Sequence, residues 1–427
     1  MKKRFHKLGV VVAAATALAF AISGCTISSS TATSSGSSKP VTLTFWEYYS
    51  GTQLTWLQNQ VKKFEATNPN VTVQLVQVNG AEQDQKLLAS TATGGGPDLF
   101  INNIVVDYPT LVAGKVMLNL TKYWNSYADK SQFPSGAVWK TKGQVYNLMS
   151  YTNLLGMFYN KTILDQYGIT TPPTTLNQLQ ADMAKVQAGG KYQAMALSGA
   201  PTVEGAWLFA PQLLGQNIDY CNIGSSAAHS KVVTAFNRVQ TWSKNGYTPL
   251  ATATWTQNDS WQQFITGKYA FGLNGNWQLG NVKTASFKYG TTLFPAPTGG
   301  KSVVYPGGEG FGIGANSKHP ALAWKFLEQA VLSKQGGQSV YTEAGSIPVR
   351  ADLSNIPSIK HNKFVQPFVT AAHNSAAWPN NTNTANMQTA LGKAVSSVIS
   401  GQETGAQGAQ SAITAINAAK KAGGGSC

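Results

Sequence analysis

Residues 41–78 read VTLTFWEYYSGTQLTWLQNQVKKFEATNPNVTVQLVQV. The opening VTLTFWE alternates as a strand with one buried face does, and the run is broken at Gly51. LTWLQNQVKKFEAT then carries apolar residues at helical spacing and stops before Asn68-Pro69, because the residue preceding a proline is pushed out of the helical region. VTVQLVQV is a second β-rich run. Strand, helix and strand at this spacing make a βαβ unit with parallel strands.

Working outward, GGGPDLFINNI (residues 94–104) is a Gly-rich turn into a short strand, and HPALAWKFLEQAVL (residues 319–332) is an amphipathic helix entered through Pro320. No internal repeat or heptad run is present. About 390 residues follow position 39, more than one ordinary core accommodates, so the chain reads as α/β in two lobes with parallel sheets. In open α/β sheets ligands bind beyond the carboxyl ends of strands. Trp46, Glu47 and Tyr48 stand at one such end, and Asn102 and Asn103 at another.

The N-terminus carries a basic segment (Lys2, Lys3, Arg4, Lys7), an apolar stretch over residues 8–22 and the small residues Ser23-Gly24 before Cys25. That order is an export signal, and the apolar run is too short for a permanent span. A Ser/Thr-rich stretch follows, which cannot bury apolar surface and reads as a tether over residues 25–39. The whole chain has 32 Lys+Arg against 17 Asp+Glu, a formal charge of +15. Loss of the four basic leader residues brings this to +11. The lysines are dispersed, which argues against a nucleic-acid partner and fits a surface beside an anionic membrane. Scarce acid is the unusual feature, and an acidic habitat is one explanation for it. Cys221 and Cys427 remain besides Cys25; they have no local spacing signal, and whether they pair is open. No metal or cofactor is expected, since there is no CxxC and the five histidines are scattered.

HExxH, GxSxG and a Rossmann fingerprint are absent, and TGGKS (residues 298–302) has Pro295 where a phosphate loop needs its first glycine. Aromatic and amide side chains are what the chain offers instead. FITGKYAFGLNGNWQLG (residues 264–280) follows a strand-like run with Asn276 and Trp277 among glycines, so that the indole either plugs a core or offers its face to a ligand. Trp207 and Trp378 pose the same alternative. Aromatic faces with amides and carboxylates beside them suit sugars, whose C–H faces stack while their hydroxyls hydrogen-bond.

These stretches also carry a resemblance. TLTFWEYYSG, GGGPDLF followed by LVAGKVMLNLT, MFYNKTILDQYGITTPPTTLNQL, FITGKYAFGLNGNW and GGEGFGIGANSKHPALAWKFLEQAVLSKQGGQSVYTEAGSIPVR occur in the order found in carbohydrate-binding lipoproteins of ABC importers. The chain resembles the maltose-binding-protein-like kind over residues 41–419, with Asn153 near a position where some members carry a hinge glutamate and Asn102 near one where some carry an aromatic. The preceding Ile22-Ser23-Gly24-Cys25 resembles a lipobox, with residues 1–24 as signal peptide and Cys25 as the lipidated residue. The resemblance implies a type II periplasmic-binding-protein-like fold, each lobe a mixed, mostly parallel sheet flanked by helices and joined by hinge strands. It implies an N-terminal lobe of residues 40–150 and 310–350 and a C-terminal lobe of residues 151–309 and 351–427. Crossings fall near residues 150–154, near 305–309 and after 350. It also implies a monomer that is not an enzyme, lies outside the cytoplasm on a lipid anchor and hands a mono- or oligosaccharide to permease subunits. Its ligand residues would be Trp46, Glu47, Tyr48, Asn102, Asn103, Asn153, Trp207, Asn276, Trp277, Glu309, Arg350 and Trp378. Two alternatives stand beside it. One is a surface glycoside-active enzyme using carboxylates such as Glu47 and Glu309; the other is a binder of glycerol-phosphate-type anions, for which Arg350 is the arginine near a hinge.

Overall fold

The computed structural model describes residues 39–80, 82–379, 381–425 and 427. The leader, Cys25 and the tether up to residue 38 lie outside the described residues. The chain's strands are β1 (Val41–Glu47), β2 (Val71–Gln77), β3 (Leu99–Asn103), β4 (Val138–Thr141), β5 (Gln144–Leu148), β6 (Tyr151–Thr152), β7 (Leu155–Asn160), β8 (Gln193–Ala196), β9 (Tyr269–Gly275), β10 (Tyr289–Thr292), β11 (Glu309–Ile313) and β12 (Ile347–Pro348).

The alternation in β1 buries Leu43, Phe45 and Glu47. The helix Gly51–Thr67 buries Trp56, Leu57, Val61 and Phe64 on one face, and Asn68 ends it by donating from Nδ2 to the Phe64 carbonyl at 2.8 Å. The chain then returns as β2, parallel to β1 with Val41 opposite Val71. The βαβ unit read from the sequence is therefore present, and it seeds a six-stranded sheet in the order β2-β1-β3-β11-β5-β4. A second, four-stranded sheet runs β10-β7-β9-β8. Each has its own hydrophobic core.

The expectation of mostly parallel sheets is corrected by the pairing. Parallel pairs are β1 with β2 and β3, and β8 with β9. The pairs β3-β11, β11-β5, β5-β4, β10-β7 and β7-β9 are antiparallel. The reason is topological: β11 and β7 enter their sheets directly from the connection between the two sides, without a helical crossover to reverse them.

That connection has three strands. β6 pairs antiparallel with β12, Tyr151 opposite Pro348 and Thr152 opposite Ile347. Beside it Asn153 and Gly307 exchange backbone hydrogen bonds of 2.9 and 2.7 Å. At the third crossing Tyr341 and Ile347 already pack in the core of the four-stranded side, Arg350 and Leu353 turn back to the six-stranded side, and Ile356 and Ile359 lie against the other core again. A helical layer covers the four-stranded side, built from Val203–Phe209, Ser226–Lys244, Thr384–Ile399 and Gly405–Ala422 around a third apolar cluster. Cys221 and Cys427, left open by the sequence, are joined in a disulfide. No helix among the described residues is long and apolar enough to cross a membrane.

Gly308 sits between the bridge and β11 at φ +131°, where a side chain would be strained. A Cβ there would lie 3.0 Å from Met149 Cε and 3.2 Å from the Tyr151 carbonyl oxygen. Gly308→Val is expected to lose about 1–3 kcal/mol of stability. Urea unfolding checks this, and a midpoint equal to wild type would refute the strain.

Candidate functional site

The hinge strand over residues 305–309 gathers the polar and aromatic groups of interest. At its end Glu309 opens β11, opposite Asn103 of β3. Its carboxylate accepts from the Tyr151 hydroxyl, and from Asn153 Nδ2 at 3.4 Å. The Tyr49 hydroxyl, 2.5 Å from that of Tyr151, extends the chain of hydrogen bonds into the N-terminal core. Burial pushes Glu309 up to about 7, partly offset by the Tyr151 hydrogen bond. Asp107 is also pushed to about 7, by burial first and by the charge of Asp84, with the N–H of Asn103 pulling the other way and Glu309 adding repulsion. Burial raises Glu47 too, although its Oε2 accepts the Tyr49 N–H at 2.6 Å. Tyr48, Tyr49 and Tyr151 are all held neutral by burial and then by the charge of Glu309.

Two ring stacks meet the same strand. Trp207 and Trp277 are parallel within 9° at a centroid distance of 5.5 Å, an offset stack. Trp207 lies over Gly307, where a Cβ would fall 2.6 Å from its ring, and Trp277 lies over Gly275, where the clash would be 1.7 Å. In the second stack Trp378 covers Tyr305 at 3.9 Å and 14°, with Tyr220 stacked on Tyr305 at 5.8 Å. Trp378 Nε1 donates to the Pro306 carbonyl at 2.6 Å. Its ring packs against both the N-terminal core and the helical cluster of the other side. Asn276 is a hinge clamp: its Oδ1 accepts the Leu154 N–H at 2.6 Å while its Nδ2 donates to the Thr152 carbonyl at 3.4 Å.

Several buried polar atoms around this strand have no protein partner, among them Tyr48 Oη, Asn153 Oδ1 and Trp207 Nε1. Buried polar groups are normally satisfied, so these are the atoms to which a polar ligand would bring hydrogen bonds.

The structure thus brings Asn153, Trp207, Asn276, Trp277, Glu309 and Trp378 into connected contact with the hinge, and places Glu47 and Tyr48 beside Tyr49, whose hydroxyl continues to Tyr151 and Glu309. The other expected residues are placed elsewhere or occupied. Asn102 is fully buried, accepting from Asn147 Nδ2 at 2.8 Å, so it is a core amide and not a ligand group. Asn103 shapes a turn, its Oδ1 accepting the N–H groups of Val105 and Val106 at 3.1 and 3.2 Å. Trp46 lies half-buried against the N-terminal core, apart from both stacks. Arg350 has all five N–H groups occupied, by both oxygens of Asp352, Asp129, the Tyr127 hydroxyl and the Leu332 carbonyl. A saturated guanidinium has nothing left for an anion, so Arg350 is a structural clamp. Sequence reasoning missed Asp107, Tyr151 and Tyr305. Asp107 was accessible in principle, since it sits in the loop beyond the carboxyl end of β3.

The family described as bacterial extracellular solute-binding protein matches residues 59–367. A putative binding protein of Brucella abortus is 24% identical over 352 residues, 78% of this chain and 82% of that one. The maltodextrin-binding protein MdxE of Bacillus subtilis is 23% identical over 426 residues, 96% of this chain and 97% of its own. Among solved structures, maltose-bound T. maritima MalE3 gives a TM-score of 0.79 at 20% identity, over 88% of this chain and 99% of that one. The GacH receptor of Streptomyces glaucescens gives 0.79 at 21%, over 89% and 98%. These structures share the two-lobed fold.

The two carboxyls at about 7 set a pH dependence. Their ordinary values are 3.8 for Asp107 and 4.5 for Glu309, so folding raises both and favours the protonated forms. The folded state holds more protons than the unfolded one between those values and 7. Their contribution is therefore full below about pH 4 and is lost as pH rises through 7. Wild type is expected to gain stability relative to Asp107→Asn/Glu309→Gln as pH falls from 7.5 to 4.5. Parallel stability curves for the two proteins, measured by urea unfolding across that range, would contradict it.

Proposed function

Because the chain belongs to the bacterial extracellular solute-binding proteins, we propose that it captures a sugar, in particular an oligosaccharide, between its lobes and delivers it to the permease of an ABC importer. The observation that carries this reading is the convergence of two stacked aromatic pairs, Trp207–Trp277 and Trp378–Tyr305, on one hinge strand that ends in Glu309. Indole rims offer apolar contact to the C–H faces of sugar rings, and the carboxyls of Glu309 and Asp107, Tyr48 Oη and Asn153 Oδ1 offer hydrogen bonds to hydroxyls. The Bacillus relative is a maltodextrin-binding protein and the Streptomyces receptor binds acarbose, ligands of this chemical class. In this reading residues 40–150 with 310–350 and residues 151–309 with 351–427 are the lobes, closing as a monomer about the strands near Asn153 and Gly307.

The role is binding without turnover. The Glu47 carboxylate is folded onto its own strand, and Glu309 is held by Tyr151 and Asn153, so neither is presented as one of a pair flanking a glycosidic bond. Saturation of Arg350 likewise argues against the anion-binding alternative. Incubating the mature protein with an oligosaccharide library, recovering what stays bound and assaying it for cleavage tests the function; cleaved sugar would favour the enzyme, and no retained sugar would remove the proposal.

The protein is held at the membrane by a lipid on Cys25, the one anchoring signal after the leader is removed. Cys25→Ala is expected to wash off membranes while folding normally; retention after washing would refute the anchor.

Trp277→Ala is expected to weaken oligosaccharide binding by about ten- to a hundred-fold, roughly 1–3 kcal/mol by analogy with base stacking on aromatic rings. Since the indole is half-buried and rests on Trp207, some stability is lost as well, less than the roughly 3–5 kcal/mol of a core tryptophan. Calorimetric titration and thermal melting read the two effects separately. A full core-sized loss of stability with unchanged affinity would make Trp277 a packing residue only.

A further inference from the structure

Trp378 stands in a segment without regular structure, between the helices Gln366–His373 and Thr384–Ile399, and a side chain in such a segment needs external support to hold one position. The support comes from the far end of the chain. The carbonyls at the end of the helix Gly405–Ala422 accept N–H groups of Gly423, Gly424 and Gly425, and the segment just after Trp378 supplies further donors to this end. Asn383 Nδ2 donates to the Ala419 carbonyl at 3.0 Å, Asn381 Nδ2 to that of Lys420 at 3.1 Å and the Thr382 hydroxyl to that of Gly423 at 3.3 Å. The approach is close enough that a Cβ at Gly423 would fall 2.0 Å from Asn381 Oδ1. Beyond the helix, Cys427 is bonded to Cys221, and Lys420 Nζ donates to the Cys221 carbonyl at 2.8 Å. The neighbour of Cys221 is Tyr220, whose buried ring lies parallel within 11° to Trp378 at 6.4 Å and within 14° to Tyr305.

These contacts close a circuit. It runs from Trp378 through residues 381–383 to the helix end, across the disulfide to Tyr220 and back to Trp378 through the stacked rings. The link that joins the helix end to Tyr220 is covalent, through the disulfide. We propose that the Cys221–Cys427 disulfide and the C-terminal tail form a latch that positions Trp378 against the hinge strand, so that the last residues of the chain set the affinity of the sugar site. Trp378 transmits the effect because its ring covers Tyr305 and its Nε1 holds the Pro306 carbonyl. The ligand half of this statement rests on the sugar reading above; the positioning half does not.

The test uses the mature protein with Cys221→Ser/Cys427→Ser, alone and combined with Trp378→Ala or with Trp277→Ala. Hydrogen exchange of peptides covering residues 374–379 reads the positioning without any sugar. Exchange there is expected to accelerate at least about tenfold in the serine variant while peptides of β7 and β9 stay protected. Unchanged exchange at 374–379 overturns the latch. Affinity is then read with maltotriose and mannotriose, the tighter of the two for wild type serving as the probe, at temperatures where melting shows every variant folded. The serine pair is expected to weaken binding about tenfold in wild type, to add nothing to Trp378→Ala, and to add in full to Trp277→Ala, since coupled residues deviate from additivity and independent ones do not. Full additivity with Trp378→Ala would show a general loosening and overturn the proposal. A wild-type protein that binds neither trisaccharide counts against the sugar reading, and the exchange result still decides the latch.

Discussion

The paired backbone hydrogen bonds between Asn153 and Gly307 tie two of the three connecting strands together, and the rest of the site is hung from that tie. Gly307 has no side chain, which leaves its surface to Trp207, whose ring a Cβ there would meet at 2.6 Å. The residue before it offers its carbonyl to Trp378, and Tyr305 offers its ring to the same indole. Two residues after it, Glu309 takes the Tyr151 hydroxyl and so joins the strand to β6. A five-residue segment therefore fixes two ring stacks and a buried carboxyl at once. In the proposed closure, rotation between the lobes moves these groups relative to the N-terminal core and so couples ligand contact to lobe position.

The electrostatics follow from the same crowding. The chain has only 17 acidic residues, yet Glu47, Asp107 and Glu309 are concentrated near the hinge with tyrosines around them. Burial raises all three, and hydrogen bonds from the Tyr151 hydroxyl and from the backbone N–H groups of Tyr49, Asn103 and Glu309 pull the other way. Carboxyls desolvated without a cation beside them stay protonated to higher pH, and a neutral carboxyl both donates and accepts. That versatility matches hydroxyl ligands, each of which does the same.

Much of the fold was legible because it rests on local periodicity. The alternation of β1, the helical spacing before Asn68-Pro69 and the β-branched run of β2 are properties of contiguous residues, and each appears where the sequence places it. The sheet directions were not legible, because β11 and β7 take their sense from the hinge rather than from their own composition. Site residues divide in the same way. Position after a strand end pointed to Glu47 and Tyr48 and could have pointed to Asp107. It could not distinguish Asn102, one residue before Asn103 and turned onto Asn147 from a strand 45 positions away. Arg350 was misread for a similar reason: its partner Asp129 lies 221 positions earlier, and no spacing rule reports such a meeting.

The glycines beside Trp277 serve a different purpose from the one the sequence suggests. They suggest a turn that only glycine can make, but Gly275 has φ −116° and Gly280 has φ −69°, conformations open to any residue. What excludes a side chain is distance. A Cβ at 275 would lie 1.7 Å from the Trp277 ring, and one at 280 would lie 2.9 Å from Thr52 Oγ1 at the start of the helix Gly51–Thr67. The first glycine lets the indole lie flat on its own strand end and meet Trp207; the second lets the following loop approach the N-terminal side of the molecule. The indole is consequently neither a plug nor a free platform. It is half of a stacked pair whose other half rests on the hinge, so under the proposed function a ligand on Trp277 would act on the Asn153–Gly307 tie through one intervening ring.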